Sequence, residues 1–163
     1  MNYAINELRR SVIAALDLGP IKFKLLNDSP ETWSLARLER VETLYRRFLF
    51  LIHKHPDETL VPSEEIDSFW HAHILDTRKY AADMEAVFGE FLHHYPYFGL
   101  RGDADAKAMD RAFERSIELY GHEFGTSEPH YAPHDASAGR VCGGKCKSLD
   151  EIGPSRPAIR AAA

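Results

Sequence analysis

Apolar residues in this chain recur every three or four positions in one segment after another, and no segment alternates apolar with polar. The first spacing buries one face of a helix, whereas alternation would mark a half-buried strand. The pattern therefore points to helices and offers nothing from which to build a sheet. The first segment, Asn2 to Leu18, carries Ile5, Leu8, Val12, Ile13 and Leu16, and Gly19-Pro20 is expected to stop it. A second helix is expected to open with Ser29 as N-cap, Pro30 in the first helical position and Glu31 in the first turn. Its apolar face runs through Trp33, Leu38, Val41, Leu44, Tyr45, Phe48 and Ile52. His55-Pro56 ends it, because a residue before proline resists helical geometry.

A third helix starts after Val61-Pro62, with Ser63 as its cap and the carboxylates of Glu64, Glu65 and Asp67 complementing the helix dipole. It breaks at Asp76-Thr77. A fourth is expected from about Arg78 to Phe88, ending at Gly89, and a fifth from about Asp103 to Tyr120, closed by Gly121. The fold class that follows is all-α, about five helices in a compact, antiparallel, bundle-like arrangement.

The 163 residues suffice for one ordinary core, and 44% hydrophobic with 28% charged residues suits a soluble globular chain. Residues 1–125 are expected to form the helical domain. Residues 126–163, with Pro129, Pro133, Pro154, Pro157 and scattered glycines, read as an irregular tail. That tail holds Cys142-Gly143-Gly144-Lys145-Cys146. Two thiolates alone do not complete a four-coordinate site, so free thiols in a reducing compartment are expected.

A formal net charge of −5 without a long basic run argues against nucleic acid as a partner. The longest apolar run, Phe48 to Ile52, is bracketed by Arg46, Arg47 and Lys54 and falls far short of the roughly 20 residues that span a bilayer. Met1-Asn2-Tyr3 does not read as the opening of a signal peptide, so the cytoplasm is the expected location and no membrane partner is expected. Oligomeric state is not legible at this level.

Nine histidines are present, and four stand in two doublets, Trp70-His71-Ala72-His73 and Leu92-His93-His94-Tyr95. Neutral imidazole is the commonest ligand for transition metals and the usual acid–base group near neutral pH. Residues four apart share a helix face, so Asp67 and His71 can meet one ion, or the carboxylate can orient the imidazole. His71 and His73 lie about 200° apart around a regular helix and cannot both reach one ion unless the helix unwinds at His73. On a regular helix His73 shares a face with Trp70 and belongs to the core. Adjacent side chains also diverge at His93-His94, and one of that pair is expected to face inward among Phe91, Tyr95, Tyr97 and Phe98.

The candidate metal ligands are therefore His71, His73, His93 and His94, with Asp67 and Tyr97 as candidate catalytic side chains. Imidazole-dominated ligation suits copper, iron or zinc. The dominance of histidine and tyrosine, without an accompanying glutamate base, favours redox or dioxygen chemistry on a small apolar or aromatic substrate. Zinc would instead imply an activated water and hydrolysis. The further alternative is a non-catalytic interaction module whose histidines form a structural network. His53 and His55 sit where a helix C-terminus favours positive charge, and His122, His130 and His134 are expected to face solvent. No His-Glu-x-x-His, phosphate-binding glycine loop or Gly-x-Ser-x-Gly elbow occurs.

The run from Val61 to Thr77, with its Trp70-His71-Ala72-His73 core, resembles the glycine-rich-domain-containing-protein-like family, and most closely its short bacterial members. The resemblance continues through Tyr80, Phe88-Gly89, Leu92-His93-His94, Pro96-Tyr97-Phe98-Gly99, Arg101-Gly102, Leu119-Tyr120 and Phe124-Gly125. Relatives often carry Asp-Cys where this chain has Asp83-Met84, which speaks against a catalytic thiol there. Their glycine- and cysteine-rich tails survive here only as the Cys142–Cys146 stretch. The resemblance implies the family and little about its chemistry.

Overall fold

The computed structural model describes residues 2–125, and within them six helices pack against one another with no extended strand. They are α1 (Asn2–Ala14), α2 (Gly19–Asp28), α3 (Leu35–Lys54), α4 (Glu64–Leu75), α5 (Thr77–Phe88) and α6 (Asp103–Phe124). The all-α class stands, with one helix more than the five expected. The tail, with Cys142, Cys146, His130 and His134, lies outside the described residues.

The additional helix is α2, and it corrects the reading of two punctuation marks. Gly19-Pro20 opens α2 instead of only closing α1. Proline in a first turn forfeits an N–H that has no helical partner anyway, and its fixed φ suits the helix. Ser29 then stands at the C-terminal boundary of α2, where its N–H donates to the Leu25 carbonyl. Ser34 takes the capping role for α3, its hydroxyl accepting from the Arg37 N–H at 3.2 Å.

The central element is α3. Leu38, Val41, Leu44, Tyr45, Phe48, Leu49, Leu51 and Ile52 are buried on more than one side of it, and α1, α2, α4 and α6 all pack against it. It ends at Lys54 with His55 as its cap, as the following proline requires. On α4, Ile66, Phe69, Trp70 and His73 are buried. Ser63 is in place as the N-cap residue with an extended backbone, but its hydroxyl makes no bond to the helix. The break falls at Asp76, between α4 and α5.

Gly89 ends α5 in the left-handed region at φ 78°, a conformation glycine adopts at little cost. A non-helical segment, residues 90–102, then carries the second histidine doublet across to α6. Within it Gly99 has φ 85°, and a Cβ there would lie 2.6 Å from Met109 Sδ of α6. The last helix runs through Gly121 to Phe124 and is capped by Gly125, four residues beyond the stop expected at Gly121. Among the described residues no helix is long and apolar enough to cross a membrane.

Candidate metal centre

Asp67 and His71, one turn apart on α4, meet His94 from the 90–102 segment. His94 Nε2 lies 3.1 Å from Asp67 Oδ1 and 3.2 Å from His71 Nε2, and His71 Nε2 lies 3.6 Å from Asp67 Oδ2. Among the described residues these three side chains form a group whose ligand atoms could hold one metal ion. A metal about 2.0–2.2 Å from nitrogen and oxygen ligands separates those ligands by about 3.3–3.6 Å in a tetrahedron and about 2.8–3.1 Å in an octahedron. The 3.1 Å from His94 to Asp67 Oδ1 matches the octahedral spacing and the 3.6 Å from His71 to Asp67 Oδ2 the tetrahedral one, through different carboxylate oxygens, and the 3.2 Å between the two nitrogens lies between the two ranges.

Burial is graded across the group. The side chains of Asp67 and His94 are 9% and 7% exposed, whereas that of His71 is 45% exposed, so the site has a protein wall and an open side. Trp70 supports the wall, its ring meeting His94 edge-on with centroids 4.7 Å apart. Partial burial lowers the His71 pKa below its ordinary value and the neighbouring His94 lowers it further, against an upward pull from Asp67. The neutral imidazole, the form that ligates a metal, is thereby favoured near neutral pH.

His73 goes elsewhere. Helix α4 stays regular through Leu75, and His73, 0% exposed, points into the core. Its Nε2 lies 2.9 Å from Asp83 Oδ2 and its Nδ1 lies 3.0 Å from the Tyr45 hydroxyl. Lys79 Nζ meets the same Asp83 oxygen at 2.9 Å. A carboxylate only accepts, so Nε2 carries the ring proton and Nδ1 accepts from Tyr45. Both nitrogens are thus engaged away from the Asp67–His71–His94 group. Burial is the main cause that lowers the His73 pKa, with Asp83 opposing it, and burial likewise raises that of Tyr45.

Of the remaining candidates, His93 packs its ring against Phe91 at 4.8 Å, and Tyr97 packs edge-on against Tyr95 at 5.5 Å. The structure brings neither into the three-residue group. His53 lies in the last turn of α3, and His122 is exposed in the last turn of α6. Sequence reasoning missed Tyr45 and Asp83. The available signal was Asp83 itself, a carboxylate in the inward stripe Tyr80, Asp83, Met84 and Val87 of α5, where an apolar residue would be ordinary.

Glycine-rich domain-containing protein 1 of Arabidopsis thaliana is 30% identical over 93 residues, which make up 55% of this chain and 11% of that protein. The chain thus matches only a small part of the length of this relative. No solved structure matches it. The UCP032817-like family description matches residues 8–124, from the middle of α1 to the last residue of α6. The chain belongs to the UCP032817-like family.

Proposed function

We propose that this protein binds one transition-metal ion through Asp67, His71 and His94 and is a small metalloenzyme. The observation that carries this reading is the convergence of two imidazole nitrogens and a carboxylate within 3.1–3.6 Å of one another. Two histidines and one carboxylate with open positions are the donor set of non-haem iron(II) sites that handle dioxygen. The half-exposed His71 leaves a side from which a small molecule can approach. The aromatic character of the segment around His94, with Phe91 43% exposed and packed on His93, is the ground for proposing a small apolar or aromatic substrate. We therefore favour an oxidoreductase in which the ion supplies the redox chemistry. Asp67 and the histidines hold it, and the indole wall keeps water from the inner side.

A second reading rests on one distance. The 3.6 Å between His71 and Asp67 suits a tetrahedral ion better than an octahedral one, and tetrahedral zinc would supply an activated water for hydrolysis. Reconstitution of tag-free protein with iron(II), copper(II) and zinc in separate samples distinguishes these outcomes. One equivalent of iron with oxygen uptake in the presence of small aromatic compounds supports the first reading. Zinc binding without oxygen uptake, with ester hydrolysis, supports the second. Failure to bind any of the three ions rejects both and leaves the histidines as a structural network in an interaction module.

A further inference from the structure

The three donors come from two pieces of chain, one helical and one not. Asp67 and His71 are fixed to each other by α4, whereas His94 stands in a segment without helical hydrogen bonding. A metal site tolerates errors of only a few tenths of an ångström in ligand position, so some contact must hold the second piece against the first.

Tyr80 on α5 makes that contact. It is 0% exposed, and its hydroxyl donates to the Leu92 carbonyl at 2.6 Å, two residues before His94. A phenol has one proton, so the same oxygen accepts from Trp70 Nε1, at 2.9 Å. Trp70 precedes His71 and lies against the His94 ring. Phe91 adds an edge-on contact to the Tyr80 ring at 5.2 Å. One buried oxygen therefore joins the helix that carries two donors to the segment that carries the third.

We propose that Tyr80 is a positioning residue of the metal centre, fixing His94 relative to Asp67 and His71 through the Trp70 N–H and the Leu92 carbonyl. This rests on the metal-binding reading above. Removing only the oxygen, in Tyr80→Phe, keeps the ring contacts with Phe91 and leaves the Trp70 N–H and the Leu92 carbonyl unpaired. Partners that orient a ligand from outside the coordination shell typically account for about 10–100-fold in metal affinity.

The test measures cobalt(II) affinity by competition with a chromophoric chelator, together with the visible spectrum of the bound ion. It compares wild type, Tyr80→Phe, Trp70→Phe and the apolar core variant Val41→Ala, all well below their unfolding temperatures. Tyr80→Phe is expected to bind cobalt about 10–100-fold more weakly with a shifted visible band. Val41→Ala is expected to lose stability but keep the wild-type affinity and band. Wild-type affinity and spectrum in Tyr80→Phe would overturn the proposal, as would an equal loss of affinity in Val41→Ala. If Tyr80→Phe does not fold, Trp70→Phe decides in the same way, because it removes the other end of the bridge. Wild-type protein that binds no cobalt would overturn both this proposal and the metal-binding reading. Binding by wild type that Tyr80→Phe fully retains overturns this proposal alone.

Discussion

His71 and His73 are two positions apart and meet unlike surroundings, one half-exposed beside Asp67 and His94, the other sealed between Tyr45 and Asp83. Their alanine variants should separate accordingly. His71→Ala removes a donor at an open site, so stability should change by no more than about 0.5 kcal/mol while metal affinity collapses. His73→Ala leaves the buried Tyr45 hydroxyl and part of the Asp83 carboxylate without their partner and opens a cavity. It should cost about 3 kcal/mol or more, with metal binding retained by the folded protein. Urea unfolding paired with metal titration of both variants checks the contrast. Equal stability losses would contradict it. The divergence of the two histidines follows from helical rotation and was legible in the sequence. Which residue of His93-His94 meets Asp67 was not, because that depends on the path of a non-helical segment whose neighbours are distant in sequence.

Between elements, polar clasps do part of the holding. Glu42 of α3 meets Lys22 of α2 at 2.6 Å and Arg46 at 2.6 Å, and Arg46 donates to the Ile13 and Leu16 carbonyls where α1 runs out. Burial, the largest single influence on Glu42, pushes its pKa up. The hydrogen bonds from Lys22 and Arg46 and the positive charges of the same two residues together outweigh it, so the folded value lies below the ordinary 4.5. A carboxylate depressed in the folded state contributes stability above its unfolded value and loses it as pH falls through the folded value. Stability measured by urea unfolding should therefore decline below about pH 4.5, and Glu42→Gln should flatten that decline. An unchanged slope in the variant would show that other groups govern it. Gly99 tests the connection between the 90–102 segment and α6. Gly99→Ala forces an L residue to φ 85° beside Met109 and should cost about 1–3 kcal/mol in chemical denaturation. A neutral result would mean that the segment relaxes freely. The helix ends at Gly89 and His55 were legible because glycine and X-Pro chemistry acts locally. The start at Gly19-Pro20 was misread because proline serves both as a stop and as a first-turn residue, and only the packing of Leu18 and Ile21 into the core decides between them.

At the scale of the molecule, the six helices bring together residues that the sequence keeps apart. Tyr45, His73 and Asp83 come from α3, α4 and α5, and Asp67 and His94 are separated by 27 positions. The all-α class was legible because each amphipathic pattern is local. The pairing of α3 with α4, which places Tyr45 against His73, was not, since apolar stripes fit many partners. The same packing buries Trp70 and Tyr80 and leaves His71 half-exposed at the edge of the candidate Asp67–His71–His94 group. Anomalous diffraction from crystals grown with the best-binding ion, recorded on both sides of its absorption edge, tests the central claim most directly. The account predicts one strong peak about 2.0–2.2 Å from His71 Nε2, His94 Nε2 and an Asp67 carboxylate oxygen. A peak beside His73 and Asp83 instead, or none within reach of His94, would contradict it.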